Sequence, residues 1–168
     1  MASDIESKIW YDLVHAKKGD EYLCLYLGHQ ENTRRRFKVI TIAISVAGIV
    51  SGYKSLKIPV IVSFAIICAI EIMRSTEYFI IRSDDDMSKL RELRSLYYSR
   101  TLDLEKLLDD VRNERISDDD AASQFYKLRE ATKRIEELDI LSRVKDHRRM
   151  SSKADKSARI YLNTYYPS

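Results

Sequence analysis

The runs VITIAISVAGIVSGY (residues 39–53) and IPVIVSFAIICAI (residues 58–70) stand back to back, with only Lys54, Ser55, Leu56 and Lys57 between them. Neither run contains a charged residue. A membrane span takes roughly 20 apolar residues to cross about 30 Å of hydrocarbon. Both runs fall short of that when cut at the first charge. They reach it when their ends snorkel, because long cationic stems carry their charge to the headgroups. The spacing predicts a transmembrane helical hairpin with spans at about residues 37–56 and 58–79. Lys38 and Lys54 then lie near the ends of the first span, and Glu71, Arg74 and Glu77 in the last turns of the second. Pro59 suits the first turn of the second helix, where a missing N–H costs nothing.

Two other readings stay open on these residues. Apolar runs of roughly 10–14 residues also occur as buried core helices of soluble bundles. Ile40 to Val46 alternates with period two and is rich in β-branched residues, as a strand would be. No second, half-polar strand is present to pair with it.

Charge placement favours the membrane. Arg34, Arg35, Arg36 and Lys38 stand immediately before the first run, whereas the link carries only Lys54 and Lys57. The excess of positive charge places the N-terminal flank in the cytoplasm, and a hairpin returns the chain to the same side. The expected domains are N-terminal cytoplasmic helices at 1–36, a hairpin at 37–81 and a cytoplasmic helical domain at 82–168. The first 36 residues hold no uninterrupted apolar segment, so no secretory signal is expected. Cys24 and Cys68 form no disulfide framework and no metal-ligand spacing.

Charged residues make up 33% of the 168, and Gly and Pro are scarce, at four and two. Long helices are favoured over turns. Net charge is +3, too small for a general nucleic-acid binder. Residues 82–168 hold 19 Lys/Arg and 18 Asp/Glu, a mixed rather than polyelectrolytic surface.

Ile5, Ile9 and Leu13 recur at i+4 and predict an amphipathic helix over 4–18, ended by Gly19. A second helix with Tyr22 and Tyr26 runs toward the first span, with a break expected at Gly28. After the hairpin, Asp84-Asp85-Asp86 opens a helix over about 85–114. Leu90, Leu93, Tyr97, Leu104, Leu107 and Val111 give it a coiled-coil-like seam, interrupted by Arg100 and Thr101. Ser117 to Asp120 is a near capping box that opens another helix, over about 118–147. The two form an antiparallel pair, and a short helix closes the chain at 153–163. The fold expected is all-α and oligomeric, because two spans cannot enclose a pore alone.

Glu71 is an ionisable group near membrane depth, where charge is costly and marks function. With Arg74 it is the candidate gate; the competing reading makes it an interfacial residue just past the span. Gly48 and Gly52 form a GxxxG, the close-packing motif of helices in lipid. It serves either oligomer packing around a pore or packing within one hairpin. Arg148, Arg149, Lys153, Arg159 and Tyr161 form a basic-aromatic tail that suits a phosphate-rich ligand. A solvated face or contact with anionic lipid accounts for the same run. Arg34, Arg35 and Arg36 are assigned to topology. GxGxxG, P-loop and GxSxG signatures are lacking, and His15, His29 and His147 are scattered. Neither catalysis nor a metal site nor a resident cofactor is expected.

A polar helix with Tyr22 and Tyr26, the cluster Arg34-Arg35-Arg36, two tightly linked spans and a helical pair follow in that order. This order resembles the SLATT family, two-transmembrane effectors of bacterial anti-phage defence systems. The resemblance covers most of the chain and is architectural. It implies an oligomeric pore in the bacterial inner membrane, with both termini cytoplasmic, whose opening depolarises or kills an infected cell. It also implies control by a nucleotide or oligonucleotide second messenger made by a partner nucleotidyltransferase. The partners implied are the bilayer, further copies of the chain (a tetramer would suffice) and that enzyme through its product. The alternative is a membrane-anchored coiled-coil adaptor that recruits a cytoplasmic protein through the Leu90–Val111 face. A third reading is a wholly soluble bundle.

Overall fold

In the computed structural model, residues 4–54, 67–72, 75, 81–142, 144 and 147–166 are described, without side-chain surroundings at 47–54. All the secondary structure among them is helical. Among the described residues the longer helices are α1 (Asp4–Lys54), α2 (Asp84–Arg112), α3 (Asp118–Ala131), α4 (Lys133–Ser142) and α5 (Arg148–Tyr165). Residues 67–72 are also helical. The chain divides into two compact units, Met1–Leu27 with Asp85–Ser168, and Gly28–Asp84.

α1 does not stop at Gly19 or Gly28, as the sequence suggested. A helical glycine costs about 0.5–1 kcal/mol against alanine. That is small beside the apolar positions on each side of Gly19. Ile5, Ile9, Leu13 and Ala16 are buried before it, and Leu23, Tyr26 and Leu27 after it.

The first unit is an antiparallel bundle. Glu6 pairs with Arg112, Asp12 with Arg100 and Asp20 with Arg94, so α2 descends as α1 rises. Arg134 reaches Glu92 at 3.0 Å and Arg100 reaches the Leu128 carbonyl, which sets α3 and α4 antiparallel to α2. α5 packs along α1 through Glu21–Ser157 and through Tyr22, whose hydroxyl accepts from the His147 N–H.

α2 ends in a Schellman arrangement. Glu114 takes φ 53° where glycine is usual, Arg115 N–H bonds the Asp110 carbonyl and Glu114 N–H the Val111 carbonyl. Ser117 caps α3 by accepting from Asp120 N–H at 3.2 Å, and its hydroxyl donates to the Asp120 carboxylate at 2.7 Å.

The helix expected over 118–147 is broken at Thr132. The reason is local competition for one acceptor. The Leu128 carbonyl takes a hydrogen bond from the buried Arg100 guanidinium and another from the Thr132 hydroxyl. Thr132 N–H turns to the Arg129 carbonyl instead. The final helix starts at Arg148, ahead of the expected 153.

Two apolar clusters fill the bundle. One gathers Ile5, Ile9, Leu13, Leu104, Leu108, Phe125 and Leu162; the other gathers Leu23, Leu27, Leu90, Leu93, Ile135 and Leu138. Between them on α1 lie Lys17 and Asp20, and on α2 Arg94, Tyr97, Arg100 and Thr101. This layer is polar. Lys17 sits 3.4 Å from Glu21 and 3.6 Å from Asp20, with its ammonium over the Tyr161 ring.

In the second unit, Val39, Ile42 and Val46 of α1 are 58%, 62% and 53% exposed, and Ile40 is exposed as well. Thr41 donates its hydroxyl to the Phe37 carbonyl at 2.9 Å, and Ser45 to the Thr41 carbonyl at 2.8 Å. Arg34 pairs with Asp84. Ile67 and Ile72 are exposed on the 67–72 helix. Among the described residues, no helix is long and apolar enough to cross a membrane. Ser55, Leu56 and Lys57 of the link and most of the second expected span lie outside them.

Candidate functional site

The polar layer of the bundle opens to a groove. Two cavities, of about 400 and about 390 Å³, share His15, Tyr97 and Asp139. The first adds Lys18 and Tyr22, and the second adds Arg100, Arg129 and Glu136. α1, α2 and α4 border both cavities; the end of α3 adds to the second and the start of α5 to the first.

Gly19 makes this geometry. A Cβ built there falls 2.6 Å from Tyr97 Cε1 and 2.7 Å from Cδ1. The Tyr97 ring therefore lies against the α1 backbone, at a distance only glycine permits. Burial pushes the Tyr97 phenol up to about 12, and the carboxylates of Asp139 and Glu136 add to the shift. A neutral hydroxyl-bearing ring stands between the cavities at any physiological pH.

Inside the layer the charges close on one another. Arg100, only 9% exposed, bonds Asp12 at 3.1 Å and the Leu128 carbonyl. Asp20 is held by Arg94 at 3.1 Å and by Lys17. The groove's rim differs. The side chains of His15, Arg129, Glu136 and Asp139 are exposed and make no hydrogen bond or ion pair among the described residues. A guanidinium, an imidazole and two carboxylates thus face one groove without pairing with one another.

The sequence-derived site residues are not brought together. Arg148, Arg149 and Lys153 are exposed on α5, with Arg149 and Lys153 on the face opposite Ala158. Arg159 is held by Asp155 at 2.9 Å. Tyr161 lies under Lys17, 4.2 Å from ammonium to ring centroid, and burial together with the Glu105 carboxylate pushes its phenol up to about 12. The basic side chains of the tail thus face outward while Tyr161 packs against Lys17. Glu71 is exposed on the 67–72 helix. Arg74 lies outside the described residues, and Gly48 and Gly52 fall in the part of α1 where only the helix is described. Arg35 and Arg36 are exposed, while Arg34 pairs with Asp84.

The groove residues His15, Lys18, Tyr97, Arg129 and Asp139 were not singled out from sequence. The signal for them was the interruption of the α2 seam at Arg100 and Thr101, which marks the polar layer. Among the described residues, no group of three His, Cys, Asp or Glu side chains could hold a metal ion. The chain matches no family model, no curated protein and no solved structure.

Proposed function

We propose that this chain is a pore-forming effector of SLATT type, a homo-oligomer in the bacterial inner membrane controlled by a nucleotide second messenger. Its opening would depolarise an infected cell and end phage propagation. The observation that carries the membrane part is the stretch Val39–Val46. Val39, Ile40, Ile42 and Val46 are exposed, and its two hydroxyls, Thr41 and Ser45, are turned back onto helix carbonyls. In hydrocarbon every polar hydrogen must find an internal partner, and lipid is the cover that such apolar exposure calls for.

In this reading the run continues to about residue 56, and a second span returns to the cytoplasm. Arg35 and Arg36 hold the headgroup side, Gly48 and Gly52 pack spans together, and Glu71 with Arg74 stands at the inner edge as a gate. The 1–27 and 85–168 unit is the cytoplasmic part that senses nucleotide. An adaptor would recruit its partner through the α2 leucine face. Leu90, Leu93, Leu104 and Leu107 are instead buried within the chain's own bundle.

Ion flux from liposomes holding the purified chain, with and without nucleotide, tests the proposal. Flux that answers to nucleotide is expected. A chain that passes no ions under any nucleotide condition would overturn it.

A further inference from the structure

We infer that the groove centred on Tyr97 is a nucleotide-binding site, with the phosphates held by Lys18, His15 and Arg129 and the nucleoside by Tyr97, Glu136 and Asp139. The inference rests on the nucleotide control proposed above and gives it a location. Each cavity lies within the range of small-ligand sites, about 300–1,000 Å³. A polar layer serving only to fix helix register would close on itself, as Lys17, Asp20 and Arg94 do. Here Lys18 meets only Asp155, at 3.9 Å across the rim, and the Arg129, Glu136 and Asp139 side chains stay open.

Their chemistry is composite. His15, Lys18 and Arg129 offer donors to an anion, and a guanidinium binds phosphate through paired N–H bonds. Asp139 and Glu136 accept only, so they suit ribose hydroxyls or the amino group of a base. Tyr97 supplies a ring wall and remains neutral. One molecule with an anionic end, hydroxyls and a planar base satisfies all three. A simple anion would leave the two carboxylates opposed to it, and a simple cation would leave Arg129 and Lys18 so. On α5, Arg159 is already paired with Asp155, and none of Arg148, Arg149, Lys153 and Arg159 lines either cavity.

Titration calorimetry on the full chain in detergent, with ATP, GTP, CTP and UTP as probes, decides the matter. At least one probe should saturate. Arg129→Gln and Asp139→Asn should each weaken it by about tenfold or more, as expected for loss of a charge-assisted hydrogen bond. Both side chains are exposed, so these variants retain the bundle. Lys153→Gln, on the opposite face of α5, should leave affinity unchanged. The groove is ruled out if none of the four probes saturates, if both groove variants bind as the parent does, or if Lys153→Gln alone abolishes binding. Saturable, groove-dependent binding without liposome flux keeps the groove and removes the pore. Nucleotide-dependent flux that is indifferent to Arg129→Gln and Asp139→Asn removes the groove and keeps the pore.

Discussion

Tyr97 and Tyr161 are the residues whose surroundings leave a measurable chemical mark. Burial first, then Asp139 and Glu136, pushes Tyr97 up to about 12. Burial and Glu105 do the same for Tyr161. The unfolded phenol loses its proton near its ordinary value of 10 while the folded one keeps it. Protons are then bound more tightly in the folded state, so this stabilisation is whole below pH 10 and is lost as pH climbs toward about 12. Phenolate absorbance should therefore show a late-titrating fraction that shrinks in Tyr97→Phe and again in the double variant with Tyr161→Phe. An unchanged alkaline profile in both would contradict the placement of the rings. Of the two, only Tyr161 was picked out as a site from sequence. Its spacing among basic residues suggested a ligand contact, but its neighbours in space are Lys17 and Glu105, far away in the chain.

At the scale of the helix, glycine was read as punctuation, and in α1 it is not. Gly19 is a packing site for Tyr97, whereas Gly28 has no atom within 4 Å of an added Cβ. The same substitution should act in opposite directions. Gly28→Ala should raise stability by about 0.5–1 kcal/mol through helix propensity. Gly19→Ala should lower it by about 1–3 kcal/mol, because the ring must move out of a packed position. Thermal midpoints from far-UV circular dichroism separate the two; equal shifts would refute the contact. The break between α3 and α4 has a longer-range cause. No Gly or Pro marks Thr132, and the carbonyl it would have used is claimed by Arg100, 28 residues earlier in the sequence. Periodicity within 118–147 could not carry that information. Arg100→Met strands the partly buried Asp12 carboxylate and releases the Leu128 carbonyl. A loss of about 2–3 kcal/mol is expected, below the full cost of a broken buried ion pair because Asp12 is 27% exposed at the side chain. Helicity across residues 128–136 should rise in the same variant, as amide exchange would report.

Across the whole molecule, the class of fold was readable because heptad-like leucines and scarce Gly and Pro leave helices as the only regular option. The pairing of the chain's two ends into one unit was not, since nothing local links residues 1–27 to 85–168. The membrane assignment belongs to this scale as well and has a direct test. Ile42 is exposed in the Gly28–Asp84 unit, and Leu141 is exposed on α4 of the other. If Val39–Val46 is covered by lipid, Ile42→Asp places a carboxylate in hydrocarbon, at a cost of about 2.5–3.5 kcal/mol by insertion scales. Leu141→Asp places one in water at little cost. The fraction of chain that resists alkaline extraction from membranes should fall for Ile42→Asp and hold for Leu141→Asp. Fluorescence of Trp10, the single tryptophan, should report the same unfolding of the bundle in all three proteins. Were the Val39–Val46 stretch in water, Ile42→Asp would behave as its control does, and the hairpin would have to be abandoned.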